Sequence, residues 1–181
     1  MPSDRNKCLV SVRMRGDRHK CVVSVTIAYN YSGSPLCRGM TIIAAVDRSD
    51  RADQVIREAI PLAEAFDEPI HVVHVLTRGE FVSLGRTKAE EGESIDMDQV
   101  RSVAREIAAE AIEDAEISAK AVGLVGDPAD RIVDYARNEE ARYIVIAGRK
   151  KSPAGKAIFG SVVQSVLLNA DCPVLSTISG T

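Results

Sequence analysis

The stretch MTIIAAVD at residues 40–47 joins an unbroken apolar run to a polar end. Residues 41–46 are rich in β-branched side chains and do not alternate with polar ones, which is typical of a strand buried on both faces. Strands of this kind belong to parallel sheets that are covered by helices on both sides. The stretch therefore predicts the first core strand of an α/β domain.

Downstream of this strand, apolar runs alternate with segments of helical periodicity. Ser49 and Asp50 can cap the first helix, although Pro61 is expected to kink or shorten it. Further strands are predicted at 69–76, 117–122, 142–147 and 173–178. Further helices are predicted at 97–115 and at 160–169. Between them a helix is predicted to begin after Asp127, which caps it, with Pro128 in its first turn.

Strict alternation of strands and helices defines the fold class. It predicts a single α/β domain with a doubly wound, five-stranded parallel sheet, right-handed crossovers and helices on both faces. In such sheets the ligand crevice lies at the carboxyl ends of the strands, where the strand order reverses. The segment Asp47-Arg48-Ser49 and the loop that starts at Gly148 are therefore expected to meet at one crevice.

Residues 1–39 differ from the rest of the chain in charge and in cysteine content. They carry seven of the 23 basic side chains, only two of the 26 acidic ones, and three of the four cysteines. The segment KCLVSV at 7–12 returns as KCVVSV at 20–25, which permits a hairpin, although a lone hairpin is marginal in water. We expect either an unstructured basic extension or the product of a misplaced start codon upstream of Met40, and a separate domain at 40–181.

Composition excludes several classes of protein. No stretch approaches the ~18 consecutive apolar residues of a membrane span, and the first residues lack the pattern of a secretory signal. We therefore expect a cytoplasmic protein that does not bind membranes. Acidic side chains outnumber basic ones after residue 39, and such a surface repels nucleic acid. The cysteine and histidine spacings fit no zinc pattern, so no metal site is predicted.

The loop from Gly148 to Ser161 is a candidate anion-binding segment. It leaves a buried strand, enters a helix at Gly160-Ser161, and is the most basic stretch of the acidic body, with Arg149, Lys150, Lys151 and Lys156. A helix N-terminus presents unpaired N–H groups that suit phosphate. The alternative is an ordinary connector with solvated basic side chains. The spacing does not match a P-loop, since Ala157 replaces the required Ser or Thr.

Asp47 and the two histidines of the second strand each have two interpretations. The carboxylate of Asp47 either receives a hydrogen bond from a ligand in the crevice or caps the following turn. His71 and His74 lie in a predicted buried strand, where a hydrogen-bonded core histidine is the expected role rather than a metal ligand or a base.

Five short motifs occur in the order and context of universal stress proteins, over residues 40–178. They are Val46-Asp47, Gly126-Asp127-Pro128, Ile146-Ala147-Gly148, Gly160-Ser161-Val162 and Cys172-Pro173-Val174. With these motifs and the α/β pattern, the chain resembles this family. The resemblance implies an adenine-nucleotide alpha-hydrolase-like (Rossmann-like) fold. It also implies a loop of the form G-x2-G-x9-G-[ST] that wraps the ribose and phosphates of ATP.

The resemblance assigns roles to individual residues. Asp47 would face the adenine base, and Gly148, Gly160, Ser161 and Val162 would contact the ribose and phosphates. Arg149 and Lys151 would neutralise phosphate charge. The loop departs from the family pattern at two points: Lys151 stands where the second glycine belongs, and eleven residues rather than twelve separate Gly148 from Gly160. The implied ligand is ATP or AMP, with Mg²⁺ only if ATP is bound.

No catalytic machinery is expected. The sequence contains no G-x-S-x-G nucleophile elbow, and residues 46–50 contain neither H-x-G-H nor a Ser-Gly-Gly loop. The last strand, Pro173 to Ile178, is predicted to lie at a sheet edge, and the resemblance implies a homodimer through it. The expected function is that of a stress-response or signalling dimer that binds an adenine nucleotide. The alternative is a nucleotide-free dimer that acts as a protein-interaction or chaperone-like module.

Overall fold

The computed structural model describes residues 23–25, 40–83, 96–148 and 160–178. Within these residues six strands form one sheet, in the order β1-β6-β5-β2-β3-β4. The strands are β1 (Val23–Val25), β2 (Ile42–Val46), β3 (Ile70–Leu76), β4 (Lys120–Val125), β5 (Tyr143–Gly148) and β6 (Val174–Ile178). Strands β2 to β6 are mutually parallel, and β1 is antiparallel to β6.

Helices cover both faces of the parallel sheet. They are α1 (Arg51–Phe66), α2 (Met97–Asp114), α3 (Pro128–Asn138) and α4 (Ser161–Asn169), and a short helical stretch occupies 78–83. Helices α1 and α2 pack on the face that presents Ile42 and Ala44, whereas α3 and α4 pack on the face that presents Ile43 and Ala45. Because successive strand residues point to opposite faces, the fully apolar β2 is buried on both sides.

The strand order locates the crevice. The chain runs from β2 outward to β3 and β4, then returns to the other side of β2 with β5 and β6. The order therefore reverses between β2 and β5, whose carboxyl ends lead into Asp47 and into the loop after Gly148. The predicted doubly wound, five-stranded parallel sheet is confirmed, and its switch point lies where the sequence placed it.

The prediction that the last strand forms a sheet edge is wrong for the described residues. Val23, Ser24 and Val25 pair with Ser176, Leu175 and Val174, so β1 lies outside β6. These three residues end the second copy of the repeat, whose alternating pattern suits an edge strand. The first copy, at 7–12, lies outside the described residues.

Two further predictions differ from the structure in detail. The strand predicted at 117–122 begins later, at Lys120. Its expected first residue instead closes the turn that follows α2, since the N–H of Ile117 donates to the carbonyl of Ile112 at 3.4 Å and Glu116 has a φ of 53°. Helix α1 is not shortened at Pro61 but continues to Phe66.

The predicted cap of α3 is confirmed. The Asp127 carboxylate accepts hydrogen bonds from the N–H groups of Ala129 at 3.0 Å and Asp130 at 3.3 Å, and Pro128 occupies the first turn. This cap holds the amino end of α3 beside the carboxyl ends of the strands. None of the helices in the described segments is both long and apolar enough to span a bilayer.

Candidate functional site

A crevice of about 510 Å³ opens at the carboxyl ends of the central strands. Its size lies within the range of ~300–1,000 Å³ that small-molecule sites occupy. Its walls are mainly apolar and come from the central strands and from α1, α3 and α4; among them are Val46, Val55, Val75, Pro128, Ile132 and Ile146. Apolar walls of this kind suit a flat aromatic group, and the polar side chains at the rim would orient it.

Asp47 follows β2 directly and lines the crevice. One oxygen of its carboxylate, Oδ1, accepts hydrogen bonds from the backbone N–H of Ser49 at 3.2 Å and from the Ser49 hydroxyl. The other oxygen, Oδ2, accepts one from the Arg51 guanidinium at 2.7 Å. Asp47 therefore organises the turn into α1, which is one of the two roles that the sequence left open.

The carboxylate of Asp47 can accept further hydrogen bonds besides those within the turn. Each carboxylate oxygen offers two lone pairs, and the side chain keeps 48% of its surface exposed. Burial by itself would raise the pKa of Asp47, but the hydrogen bonds from Ser49 and Arg51 and the charge of Arg51 outweigh burial and lower that pKa. The carboxylate is therefore ionised at neutral pH and remains able to accept a hydrogen bond from a ligand.

The amino end of α4 faces the same crevice from the opposite side. Gly160 is the N-cap residue, and as a glycine it has no side chain that could bond the first N–H groups of the helix. Gly160, Ser161, Val162 and Val163 all line the crevice. With φ −62° and ψ 157°, Gly160 has a backbone conformation open to any residue. Since no side chain of the described residues caps this helix terminus, its N–H groups can donate to an anion.

Of the other predicted site residues, only Gly148 falls within the described part of the chain. It ends β5 and is buried, and its neighbour Ala147 lines the crevice. Arg149 and Lys151 lie outside the described residues. The structure thus gathers Asp47, Gly160, Ser161 and Val162 at one crevice, with the end of β5 between the two sides.

A third polar corner of the crevice escaped the sequence analysis. His74, Thr77 and Glu80 line it, at the end of β3 and in the helical stretch that follows. The carboxylate of Glu80 accepts hydrogen bonds from the Thr77 N–H at 2.8 Å and from the Thr77 hydroxyl at 2.7 Å. A usable signal was present in the sequence: residues 69–76 are predicted as a strand of the same parallel sheet, so the residues after Leu76 reach the same end of that sheet as Asp47, as the parallel pairing of β2 and β3 shows.

The carboxylate of Glu80 at this corner is negatively charged although it is partly buried. Burial would raise the pKa of Glu80, but the hydrogen bonds from Thr77, together with the positive charge of Arg48, lower it. Glu80 and Asp47 thus present two carboxylates near the ends of β3 and β2. The end of the crevice formed by α4 carries no acidic residue from the first turn of that helix.

The histidines of β3 lie on opposite faces of the sheet. Both are buried, as predicted. Nδ1 of His71 lies 3.0 Å from the hydroxyl of Tyr135, far from the crevice, and Nδ1 of His74 lies 3.0 Å from the carbonyl of Val46. Within the described segments, no group of three or more His, Cys, Asp or Glu side chains is arranged to hold a metal ion.

Comparison with known proteins gives the chain a family. The model of the universal stress protein family matches residues 40–177. Universal stress protein MJ0531 of Methanocaldococcus jannaschii is 29% identical over 141 residues, which cover 74% of this chain and 79% of that protein.

A solved structure gives the same assignment. A universal stress protein from Archaeoglobus fulgidus is 38% identical, covers 76% of this chain and 98% of its own, and superimposes with a TM-score of 0.51. A universal stress protein from the same organism, solved in complex with dAMP, is 30% identical over 76% of this chain and 97% of its own, with a TM-score of 0.47.

Proposed function

The chain belongs to the universal stress protein family, and we propose that it binds an adenine nucleotide, ATP or AMP, in the crevice between Asp47 and Gly160. One observation carries the proposal. An ionised strand-end carboxylate and a helix N-terminus that no described side chain caps face each other across an apolar crevice of nucleotide size. The carboxylate suits the amino group of a base, and the helix terminus suits a phosphate.

The two ends of the crevice set the orientation of the nucleotide. Asp47 and Glu80 repel a phosphate, whereas the N–H groups that follow Gly160 attract one. The base therefore lies near the ends of β2 and β3, and the phosphates lie at α4 beside Ser161. In this proposal Arg149 and Lys151 neutralise the phosphates, and Mg²⁺ binds only together with ATP.

The proposed role is binding without turnover. The nucleotide acts as a signal or as a stabilising ligand, because a ligand that binds only the folded state raises the free energy of unfolding by RT ln(1 + [L]/Kd). We also propose a homodimer through Pro173–Ile178. Strand β1 occupies the edge of β6 at Val174 to Ser176, so this dimer requires β1 to leave β6. Sedimentation equilibrium on the full chain would report whether that dimer forms.

The second candidate is a nucleotide-free interaction module. Two departures of the loop favour it, namely Lys151 at the position of a family glycine and the missing residue between Gly148 and Gly160. A protein of this kind would keep the fold and the crevice but would not bind nucleotide, so the two candidates differ in a single binding test.

The test uses undialysed, purified 181-residue protein. It is denatured, and any released small molecule is identified by chromatography and mass. Stoichiometric ATP or AMP is the expected result, or, for protein purified empty, saturable binding of added ATP in calorimetry. An empty protein that gives no heat with ATP or AMP would refute the proposal and favour the interaction module.

A further inference from the structure

Strand β1 pairs with the outer edge of β6, the strand that would carry the proposed homodimer. Its residues Val23–Val25 are in antiparallel register with residues 174–176. On its other side β6 pairs with β5 along its whole length. Both edges of β6 are therefore occupied at residues 174–176, and a second chain finds no free row of N–H and carbonyl groups there.

The direction of β1 is the one that the β6 of a second copy would have. When one edge of a strand pairs with the same edge of its own copy across a two-fold axis, the two strands must run antiparallel, since a parallel copy would place identical groups opposite each other. Strand β1 also runs antiparallel to β6. It therefore bonds to the same row of donors and acceptors of β6 that the second copy would use.

The pairing with β1 covers only part of the edge. Strand β6 has five residues, Val174–Ile178, whereas β1 pairs with three of them. Among the described residues, Thr177 and Ile178 pair with β5 alone. A three-residue edge strand forms few hydrogen bonds, and elements of this kind open locally at a small fraction of the free energy that global unfolding requires. Strand β1 can therefore leave β6 while the core stays folded.

Strand β1 has an advantage over a second chain because it belongs to the same molecule. Residues 26–41 alone separate it from β2 in the sequence. A tethered strand competes at an effective concentration on the order of millimolar, whereas a second copy competes at its own concentration. Strand β1 therefore holds the edge in dilute solution, and the longer β6 of a second copy displaces it only as the protein concentration rises.

Building on the proposed homodimer, and not on nucleotide binding, we propose that β1 is an autoinhibitory strand. It takes the place that the β6 of a second copy would occupy and keeps the full chain monomeric until it detaches. Because both copies must open, the apparent dissociation constant of the dimer rises with the inverse square of the fraction of chains whose edge is open. An open fraction of about one third would weaken the dimer about 10-fold.

Proline substitutions test the blocking strand in the full chain. Proline lacks an N–H group, and N–H groups alternate between the two edges of a strand, so Val23→Pro together with Ser24→Pro removes one N–H that faces β6. The sequence VSV also occurs at residues 10–12 and could replace β1, so the variant carries Val10→Pro and Ser11→Pro as well. The matched control has threonine at the same four positions, which keeps every N–H group and suits a strand.

Sedimentation equilibrium gives the dimer dissociation constant of each protein. We expect the proline variant to dimerise at least about 10-fold more tightly than both the wild-type protein and the threonine control. Equal dissociation constants for the three proteins would overturn the proposal, because β1 would then not compete for the edge. If the proline variant stays monomeric at every concentration, the homodimer fails and the autoinhibition fails with it. Nucleotide binding is judged separately, by calorimetry on the same samples.

A cross-linked form of the full chain tests the same competition without proline. Ser24 and Leu175 are register partners, so Ser24→Cys with Leu175→Cys places two thiols at the Cα separation that a disulfide spans, about 4.4–6.8 Å. Cys8, Cys21 and Cys37 are replaced by serine in this protein to prevent other pairings. The oxidised form should stay monomeric at concentrations where the reduced form dimerises. Failure of the bond to form within one chain, or equal dimerisation of the two forms, would contradict the proposal.

Discussion

Replacing Gly160 with leucine should separate ligand binding from folding. A Cβ added to Gly160 meets no atom within 4 Å among the described residues, and the backbone there has φ −62°. The fold therefore does not require glycine at this position. A side chain would instead project from the amino end of α4, into the space where the proposal places the phosphates.

The expected change in stability is small because two effects oppose each other. Loss of glycine at an N-cap costs roughly 0.5–1 kcal/mol, since larger apolar residues are poor caps. Restricting the unfolded chain returns about 0.4–1 kcal/mol. The free energy of unfolding of Gly160→Leu, measured by urea titration, should therefore lie within about 1 kcal/mol of wild type.

The expected change in affinity is large. Hydrogen bonds to a charged group contribute about 1.5–3 kcal/mol each, and blocking two of the N–H donors that follow Gly160 should weaken ATP binding about 100-fold or more. Gln164→Leu is the matched control, because it adds an exposed leucine to the same helix outside the crevice. If Gly160→Leu folds and binds ATP as tightly as the control, the phosphate position assigned here is wrong.

Three further predictions concern stability and reactivity. Gly123→Ala should lower the free energy of unfolding by about 2 kcal/mol in a urea titration, since the new Cβ would collide with the backbone of α2, whereas Gly79→Ala, whose Cβ would lie at an ordinary contact distance of 3.9 Å from Oγ1 of Thr77, should not. Because the pKa of Asp47 is lowered, its carboxyl group binds a proton more weakly in the folded state than in the unfolded state. The ionised carboxylate therefore stabilises the fold above the unfolded pKa of about 3.9, and this stabilisation is lost as pH falls through the folded pKa. In Asp47→Asn the free energy of unfolding should accordingly fall less steeply at acid pH than in the wild-type protein. Burial, followed by the charge of Asp171, raises the pKa of the Cys172 thiol to about 11, so this thiol should react with a disulfide reagent only when the protein unfolds; fast reaction in native buffer would contradict its burial.

The order of the elements was predictable because the core strands have a recognisable apolar pattern in the sequence. An unbroken apolar run such as residues 42–46 indicates a strand that is buried on both faces. Alternation of such strands with helices predicts a parallel sheet. From that order alone, Asp47 and Gly160 could be placed at one crevice, since the carboxyl ends of parallel strands meet at one edge.

The rest depended on tertiary contacts that a local pattern does not encode. The sequence permitted a hairpin strand at residues 20–25 but did not predict its pairing with β6, because an alternating V-S-V segment fits many partners and only the open edge of β6 decides which one. The start of β4 was misplaced because Ile117 is apolar enough for a strand, but its N–H closes the turn that follows α2. The polar corner of His74, Thr77 and Glu80 depends on the carbonyl of Val46, which lies 3.0 Å from Nδ1 of His74, and on the hydrogen bonds that Thr77 donates to Glu80.

The most direct test of the central claim is a nuclear magnetic resonance titration of the ¹⁵N-labelled full chain with AMP. We expect saturable shifts of the amides of Asp47, Thr77, Gly160 and Ser161, which line the crevice. The amides around Tyr135 and Glu139, beside His71 near the amino ends of the strands, should not move. No shifts at high AMP, or shifts confined to that opposite end, would contradict the assignment of the crevice as a nucleotide site.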